Sequence, residues 1–286
     1  MLRLAVTTQA ETFERMQEPL QAHDIDVTYL PTTGTVFDIT AQQTSEFDVG
    51  FVYPSRLMEG AVVNAIESIP WVNDRAAIVT SRNKAAVLTR LRQSGIDVPE
   101  SKLLSHPVDT EQIVDAARTL GFPLIVKPNS ATQGRGVTKV HDVDSLVGTL
   151  DYLNVIHTVP TTADKSVLLQ EFIPEARDIR VMVLDGTIVG AVERSLSAAQ
   201  RNRDRWKHNV HRGATPVATT VSESTKQVVR NTARTLNIPY LGVDLLQTSE
   251  MTYVSETNAR PTIDAAGKYV DTFWEQLANL IKRTTT

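Results

Sequence analysis

No cysteine occurs among the 286 residues, which excludes disulfides, thiol nucleophiles and Cys-rich zinc sites and is compatible with a reducing compartment such as the cytoplasm. Long apolar runs are also missing. The opening Met1-Leu2-Arg3-Leu4-Ala5-Val6 turns polar by Thr7, too short for a signal-peptide core or a transmembrane span. The expectation is a soluble, unprocessed, cytoplasmic protein. Basic excess is lacking: a formal net charge of -4 argues against a dedicated nucleic-acid binder, and any anion site has to be built locally. No internal repeat or low-complexity tract appears. Two common nucleotide signatures are absent as well: a glycine-rich loop ending in lysine and serine, and a G-x-G-x-x-G that opens a helix.

At roughly 150 residues per domain the length suggests about two compact units. Short β-rich runs alternate with longer helix-period runs, the pattern of α/β layers. Leu2–Val6, Val27–Leu30 and Val49–Tyr53 are expected strands of a small open sheet, with helices near Glu11–His23 and Met58–Ser68. A helix over Ser81–Ser94 presents Ala85, Leu88 and Leu91 on one face and stops at Gly95, and a second unit is expected to begin there. Asp109-Thr110-Glu111-Gln112 has the form of a capping box with Asp in the Ser/Thr place, opening a helix that runs to Gly121 and precedes a strand over Pro123–Lys127.

Five segments carry candidate chemistry. In Leu124–Val137 a strand delivers Lys127 into a small loop. There the glycines Gly134 and Gly136 let backbone N–H groups approach anionic oxygens, while Ser130 and Thr132 add hydroxyl donors. The same spacing also suits a plain hairpin turn. Val167–Pro174 is an apolar strand ending in the polar pair Gln170-Glu171, which fits either a buried strand or the edge that reads an adenine ring. Asp178–Leu184 and Thr187–Arg194 flank Asp185-Gly186, a two-residue hairpin signal, and carry Asp178, Arg180, Glu193 and Arg194 toward one region. Residues 194–212 then hold a local basic excess, either a solvated loop or, at Lys207, Asn209 and Arg212, donors for phosphoryl oxygens.

The fifth segment is a hairpin of Tyr240–Leu246 and Met251–Asn258. A turn centred near Ser249 or Glu250 sets Asp244 close to opposite Glu256, and strand alternation brings Glu256 and Asn258 out on one face. Two carboxylates and an amide oxygen suit Mg²⁺, which takes one or two carboxylates and completes its octahedron with water and phosphates. A solvated polar face on an edge hairpin fits the pattern too. Against it, Asp244 sits among Leu241, Val243, Leu245 and Leu246, a costly place for an unpaired charge.

Taken in order, Lys84, Lys127 with its loop, Gln170–Ile173, Asp178-x-Arg180, Asn209-x-x-Arg212-Gly213, Asp244 and Glu256-x-Asn258 resemble the ATP-grasp superfamily. The nearest branch is that of the ribosomal-protein-S6 glutamate ligases and related cofactor glutamate ligases. The resemblance runs from about Ser81 to the last helix. It implies an α/β (α+β) ATP-grasp fold in which residues 1–80 form a Rossmann-like pre-ATP-grasp domain. Residues 81–165 would be a small subdomain closing over nucleotide, and residues 166–286 a metal-binding and catalytic subdomain.

By that resemblance Lys84, Lys127, Gln133, Gly134, Gly136 and Lys207 would contact ATP, and Glu171, Phe172 and Ile173 would hold the adenine with Asp178 beside the nucleoside. Asn209 would touch ATP and the reacting groups, Arg180 and Arg212 would hold transferred phosphate or donor carboxylate, and Asp244, Glu256 and Asn258 would coordinate Mg²⁺ or Mn²⁺. The implied reaction joins a carboxylate, glutamate or a similar amino acid, to an amine on a protein, cofactor or small molecule. It passes through an acyl phosphate and releases ADP and phosphate. An ATP-grasp phosphotransferase and a non-catalytic ATP sensor are the alternatives. A homo-oligomer is expected, without nucleic-acid or membrane partners. Three positions depart from the family pattern: Ala131 replaces a glycine, Lys207 an arginine, and Arg260-Pro261-Thr262 a smaller Ser-Pro-Gly type of ending. Arg260 is thereby a candidate reader of an acidic substrate.

Overall fold

The computed structural model describes residues 1–8, 11–40, 45–131, 134–157, 164–195, 215–263 and 266–285. At the N-terminus β1 (Leu2–Val6), α1 (Glu11–Gln21), β2 (Ile25–Tyr29) and β3 (Val49–Phe51) give a parallel sheet in the order β2-β1-β3. This is the small open sheet expected from the three β-rich runs. In β2 the buried Ile25 and Val27 alternate with exposed Asp26 and Thr28, the period-2 signature of a strand with one covered face.

Three helices follow: α2 (Leu57–Glu67), α3 (Arg75–Arg82) and α4 (Lys84–Gln93). The single helix expected over Ser81–Ser94 is therefore two. Asp74 caps α3 by accepting from the Ala77 N–H, and Asn83 interrupts the run by turning its side chain onto the Ala86 N–H, which ends one helix and starts the next.

A four-stranded antiparallel sheet in the order β4-β7-β5-β6 comes next. Its elements are β4 (Ser101–Ser105), α5 (Thr110–Leu120), β5 (Leu124–Pro128), β6 (Thr138–Val140), α6 (Val143–His157) and β7 (Ser166–Glu171). Helix α5 starts and ends where expected, but the Asp109 side chain makes no capping hydrogen bond. The helix is held instead by Ile113, Ala116, Ala117 and Leu120 against the core of this sheet. Strand β7 lies between β4 and β5, so the chain leaves the small sheet after Glu171, not at residue 165.

The remaining elements are β8 (Arg177–Leu184), β9 (Thr187–Ser195), β10 (Thr215–Ala218), α7 (Glu223–Leu236), β11 (Tyr240–Gln247), β12 (Thr252–Asn258) and α8 (Phe273–Thr284). Their strands form an antiparallel sheet in the order β10-β9-β8-β11-β12. The Asp185-Gly186 turn has both residues at positive φ, 47° and 78°, as a two-residue hairpin requires. Each hairpin carries a bulge. Val183 pairs with Ile188 but Met182 with Gly190, leaving Val189 extra, and Leu245 pairs with Val254 but Asp244 with Glu256, leaving Ser255 extra.

Three apolar clusters hold these layers. Two of them mix N-terminal residues with the five-stranded sheet: Ala5, Tyr53 and Trp71 join Val181, Leu241 and Val243, and Leu4, Phe51 and Val72 join Met182, Tyr240 and Leu277. The third, with Leu124, Val126, Leu146 and Leu169, belongs to the four-stranded sheet alone. Buried Asn73 reinforces the first union by donating to the carbonyls of Tyr240 and Ala259 while accepting from the Tyr240 N–H. Among the described residues no helix is long and apolar enough to cross a membrane.

Candidate active site

A cleft of about 530 Å³ opens between the four-stranded and five-stranded sheets, lined among others by Lys127, Gln170, Glu171, Asp178, Asp244 and Glu256. That size suits a small-molecule ligand. One cross-strand row explains its floor. Because of the Ser255 bulge, Asp244 of β11 lies directly opposite Glu256 of β12, and on its other side directly opposite Arg180 of β8. Directly opposed carboxylates repel one another unless cations lie between or beside them.

The cations are present. Arg180 grips Asp244 with a two-pronged contact, Nε to Oδ1 at 2.6 Å and Nη2 to Oδ2 at 2.7 Å. Arg194 approaches the same carboxylate at 3.3 Å and also pairs with Asp178, its Nε 2.9 Å from Oδ1. Lys84 Nζ lies 3.2 Å from Glu256 Oε1. Burial alone would push Asp244 toward its neutral form, but Arg180 and Arg194 outweigh it and hold the carboxyl well below the usual range, so it is ionised. The same contacts raise Arg180 against the effect of its own burial. Asp178 is the weaker partner of the cluster: burial lifts it to about 6 despite Arg194.

Lys127 sits across the cleft, fully desolvated, with its Nζ 2.9 Å from the neutral Oε1 of Gln170. Burial lowers its ammonium to about 8, against the attraction of Glu256 and with the repulsion of Lys84. A buried ammonium bonded to an amide oxygen is stabilised by any anion brought beside it. The loop after β5 behaves as its glycines require. Gly134 and Gly136 adopt φ of 66° and 72°, and a Cβ on Gly136 would stand 2.7 Å from the Pro128 ring.

Of the residues singled out from the sequence, Lys127, Gly134, Glu171, Phe172, Ile173, Asp178, Asp244 and Glu256 line this cleft. Lys84 and Arg180 reach it through Glu256 and Asp244, and Asn258 follows Glu256 on β12, its Oδ1 accepting from the Arg260 N–H at 2.9 Å. Gly136 packs behind the loop. Gln133, Lys207, Asn209 and Arg212 lie outside the described residues.

Glu193 lines the same cleft as Asp178 and Arg194, but it stands opposite Ile179 and accepts from Arg177 at 2.6 Å, because the Val189 bulge shifts the pairing by one. Gln170 and Arg194 carry more of the site than the sequence assigned them. The signal for Arg194 was its place one hairpin turn from Asp178, and for Gln170 its place at the end of an apolar strand.

The donor set Asp244, Glu256 and Asn258 is all oxygen, with one carboxylate kept ionised by its surroundings, and so fits a hard divalent cation. Among the described residues no group of three or more His, Cys, Asp or Glu side chains forms a metal cage. Such a cation would therefore draw its remaining ligands from water and from a bound substrate.

Comparison with known proteins places the fold in a family. Residues 81–281 match the family model of the RimK-like ATP-grasp domain. The chain is 30% identical over 217 residues to a probable alpha-L-glutamate ligase of Shewanella halifaxensis, covering 72% of this chain and 44% of that protein. It is 29% identical over 199 residues to the ribosomal protein bS6--L-glutamate ligase of Escherichia fergusonii, covering 69% of this chain and 62% of that one. The chain thus spans 44% and 62% of the lengths of these two relatives. The crystal structure of a RimK domain ATP-grasp protein from Sphaerobacter thermophilus matches the fold with a TM-score of 0.73 at 20% identity, over 98% of this chain and 99% of that one. This chain belongs to the RimK-like ATP-grasp family.

Proposed function

We propose that the protein is an ATP- and magnesium-dependent ligase that joins a carboxylate to an amine and releases ADP and phosphate. The observation that carries this reading is the pair of directly opposed carboxylates, Asp244 and Glu256, at the floor of a cleft whose far side presents the desolvated Lys127. Asp244, Glu256 and Asn258 would hold the metal, which when bound neutralises charge on the terminal phosphates of ATP. Lys127 and Lys84 would take the phosphates, Glu171, Phe172 and Ile173 would border the base, and Asp178 would stand beside the nucleoside. In a first step the donor carboxylate attacks the γ-phosphorus and ADP leaves, giving an acyl phosphate. An amine then attacks the acyl carbon and phosphate leaves, giving the amide. Fixed cations along the row stabilise the charge spread over the transferring phosphoryl group.

In this reading Arg180 has two partners in turn. It neutralises Asp244 in the ligand-free protein and is displaced toward substrate phosphate or carboxylate when a divalent cation takes the Asp244 oxygens, with Asn209 and Arg212 as further donors. The names of the relatives favour glutamate as the added amino acid, with a protein tail or a small molecule as acceptor. The chain divides into a nucleotide-closing sheet ending at Glu171 and a metal-binding sheet beyond it, with the N-terminal sheet shaping the acceptor side.

The test is release of ADP and phosphate from Mg-ATP across amino-acid donors, with Asp244→Ala as control. Donor-dependent release with a new amide mass, lost in the variant, supports the ligase. ADP accompanied by a phosphorylated product, or ATP binding without turnover under the whole panel, overturns it.

A further inference from the structure

The N-terminal sheet carries a second polar centre that the nucleotide cleft does not use. In the order β2-β1-β3 the strand sequence reverses direction between β1 and β3, and in open parallel sheets the crevice outside the carboxyl ends of the strands at that point is where ligands bind. The residues leaving those two ends are Thr7-Thr8 after β1 and Val52-Tyr53-Pro54-Ser55 after β3. Arg260, two residues past the end of β12, reaches this point. It donates through Nη2 to Thr8 Oγ1 at 2.8 Å and through Nη1 to the Tyr53 carbonyl. Arg82, the last residue of α3, donates to the Ser55 carbonyl at 2.8 Å.

Both guanidiniums therefore bond only to neutral oxygens among the described residues. Two of the five N–H donors of Arg260 are used by Thr8 and Tyr53, leaving three. If Arg260 served only to tie the N-terminal loops to β12, a neutral donor would do so without the cost of a half-buried charge. Its own N–H bonds Asn258 Oδ1 at 2.9 Å, so this centre abuts the end of the carboxylate row.

We propose that Arg260, assisted by Arg82, is the site that receives a carboxylate of the substrate, the acidic group that does not react. A planar fork of guanidinium donors matches a carboxylate, whereas lysines serve the phosphates in the cleft. The inference rests on the ligase reading for its choice of ligand, and specificity for acidic over neutral amino acids follows from it.

The test is calorimetric titration with L-glutamate, L-glutamine, L-alanine and the dipeptide Glu-Glu, run with and without ADP and Mg²⁺. Either acidic compound should bind more tightly than the neutral ones. Loss of a charge-assisted bond costs about 1.5–3 kcal/mol, so Arg260→Met should weaken that binding about 10- to 100-fold. Arg260→Lys should fall between, Arg82→Met should weaken it less, and ADP affinity should stay within about twofold throughout. Binding of L-glutamate assigns the site to the donor, and binding of Glu-Glu alone assigns it to the acceptor. Equal affinity in wild type and Arg260→Met, or no preference for the acidic compounds, overturns the proposal. Should ADP and ATP fail to bind at all, the ligase reading falls, while acidic binding that is lost in Arg260→Met leaves the carboxylate site standing.

Discussion

Arg180 and Arg260 are both largely removed from water, yet their surroundings push them in opposite directions. Arg180 lies in a row where the fold supplies its own acid, and Asp244 raises it. Arg260 lies at a junction where the described residues supply it a hydroxyl and a carbonyl, and burial beside Arg82 lowers it. The first region has its charge balanced by the fold itself, and in the proposed reaction it would change partners when a ligand arrives. The second has no such acid among the described residues, which is the ground for the proposed anion site.

The largest expected effect tests the completed region. Asp244→Ala removes the proposed metal ligand and leaves Arg180 and the buried Arg194 without their shared acid. Turnover should vanish, and urea unfolding should reveal a loss of about 3–5 kcal/mol. Retained turnover would remove the row from the chemistry.

Next comes a direct contrast of the two arginines. Arg180→Leu should destabilise the ligand-free protein by a few kcal/mol, on the order of a broken buried pair, because Asp244 then keeps only the longer contact to Arg194. Arg260→Leu should be within about 1 kcal/mol of wild type or slightly stabilising, since it deletes an unpaired buried charge. Equal losses at the two sites, measured by the same denaturant series, would erase the distinction.

A smaller effect concerns Lys127. Phosphate binds its protonated form, and the free-enzyme value is about 8. Affinity for Mg-ATP should be flat below that pH and fall by up to about tenfold per unit above it. Lys127→Arg should flatten the profile if Lys127 is the phosphate contact.

The smallest effect is at Asp178. Its value of about 6 exceeds that of an unfolded carboxylate, about 4, so the folded state binds the extra proton. The resulting stability is fully present below about pH 4 and is lost as pH rises through 6. Asp244 acts in the opposite sense, its contribution disappearing as pH falls below about 4. Asp178→Asn should therefore flatten stability between pH 4 and 6, read from unfolding midpoints across that range.

Much of the site was legible because the residue types were costly where they stood. Asp244 amid leucines and Lys127 at the end of an apolar strand both demanded partners. What the sequence did not display was register. Counting back from the Asp185-Gly186 turn without a bulge puts Glu193 opposite Asp178, and the extra Val189 puts Arg194 there instead. In the second hairpin Ser255 performs the same shift, and its hydroxyl bonds the Asp244 carbonyl at 3.1 Å. One unpaired residue in each strand decides which charges meet, and nothing in the composition of Ile188-Val189-Gly190 or Val254-Ser255 announces it. The break at Asn83 was hidden for a different reason: apolar periodicity runs through both helices, and only the capping side chain separates them. The sheet assignment of β7 was invisible locally, since pairing partners of a buried strand are chosen by layers far away in sequence.

The three apolar clusters also set the kinematics of the molecule. The N-terminal and five-stranded sheets share two clusters and are bolted together by Asn73, so they form one frame. The four-stranded sheet has its own cluster and meets that frame through Leu168, which joins the first cluster, and through polar contacts such as Asn129 with Asn83 and Ala85. Hydrogen bonds can pivot where interdigitated side chains cannot. Lys127 and Gln170 belong to the four-stranded sheet, whereas Asp244, Glu256 and Arg260 belong to the frame. Any rotation of that sheet against the frame would separate Lys127 from the carboxylate row and leave Arg260 where it stands.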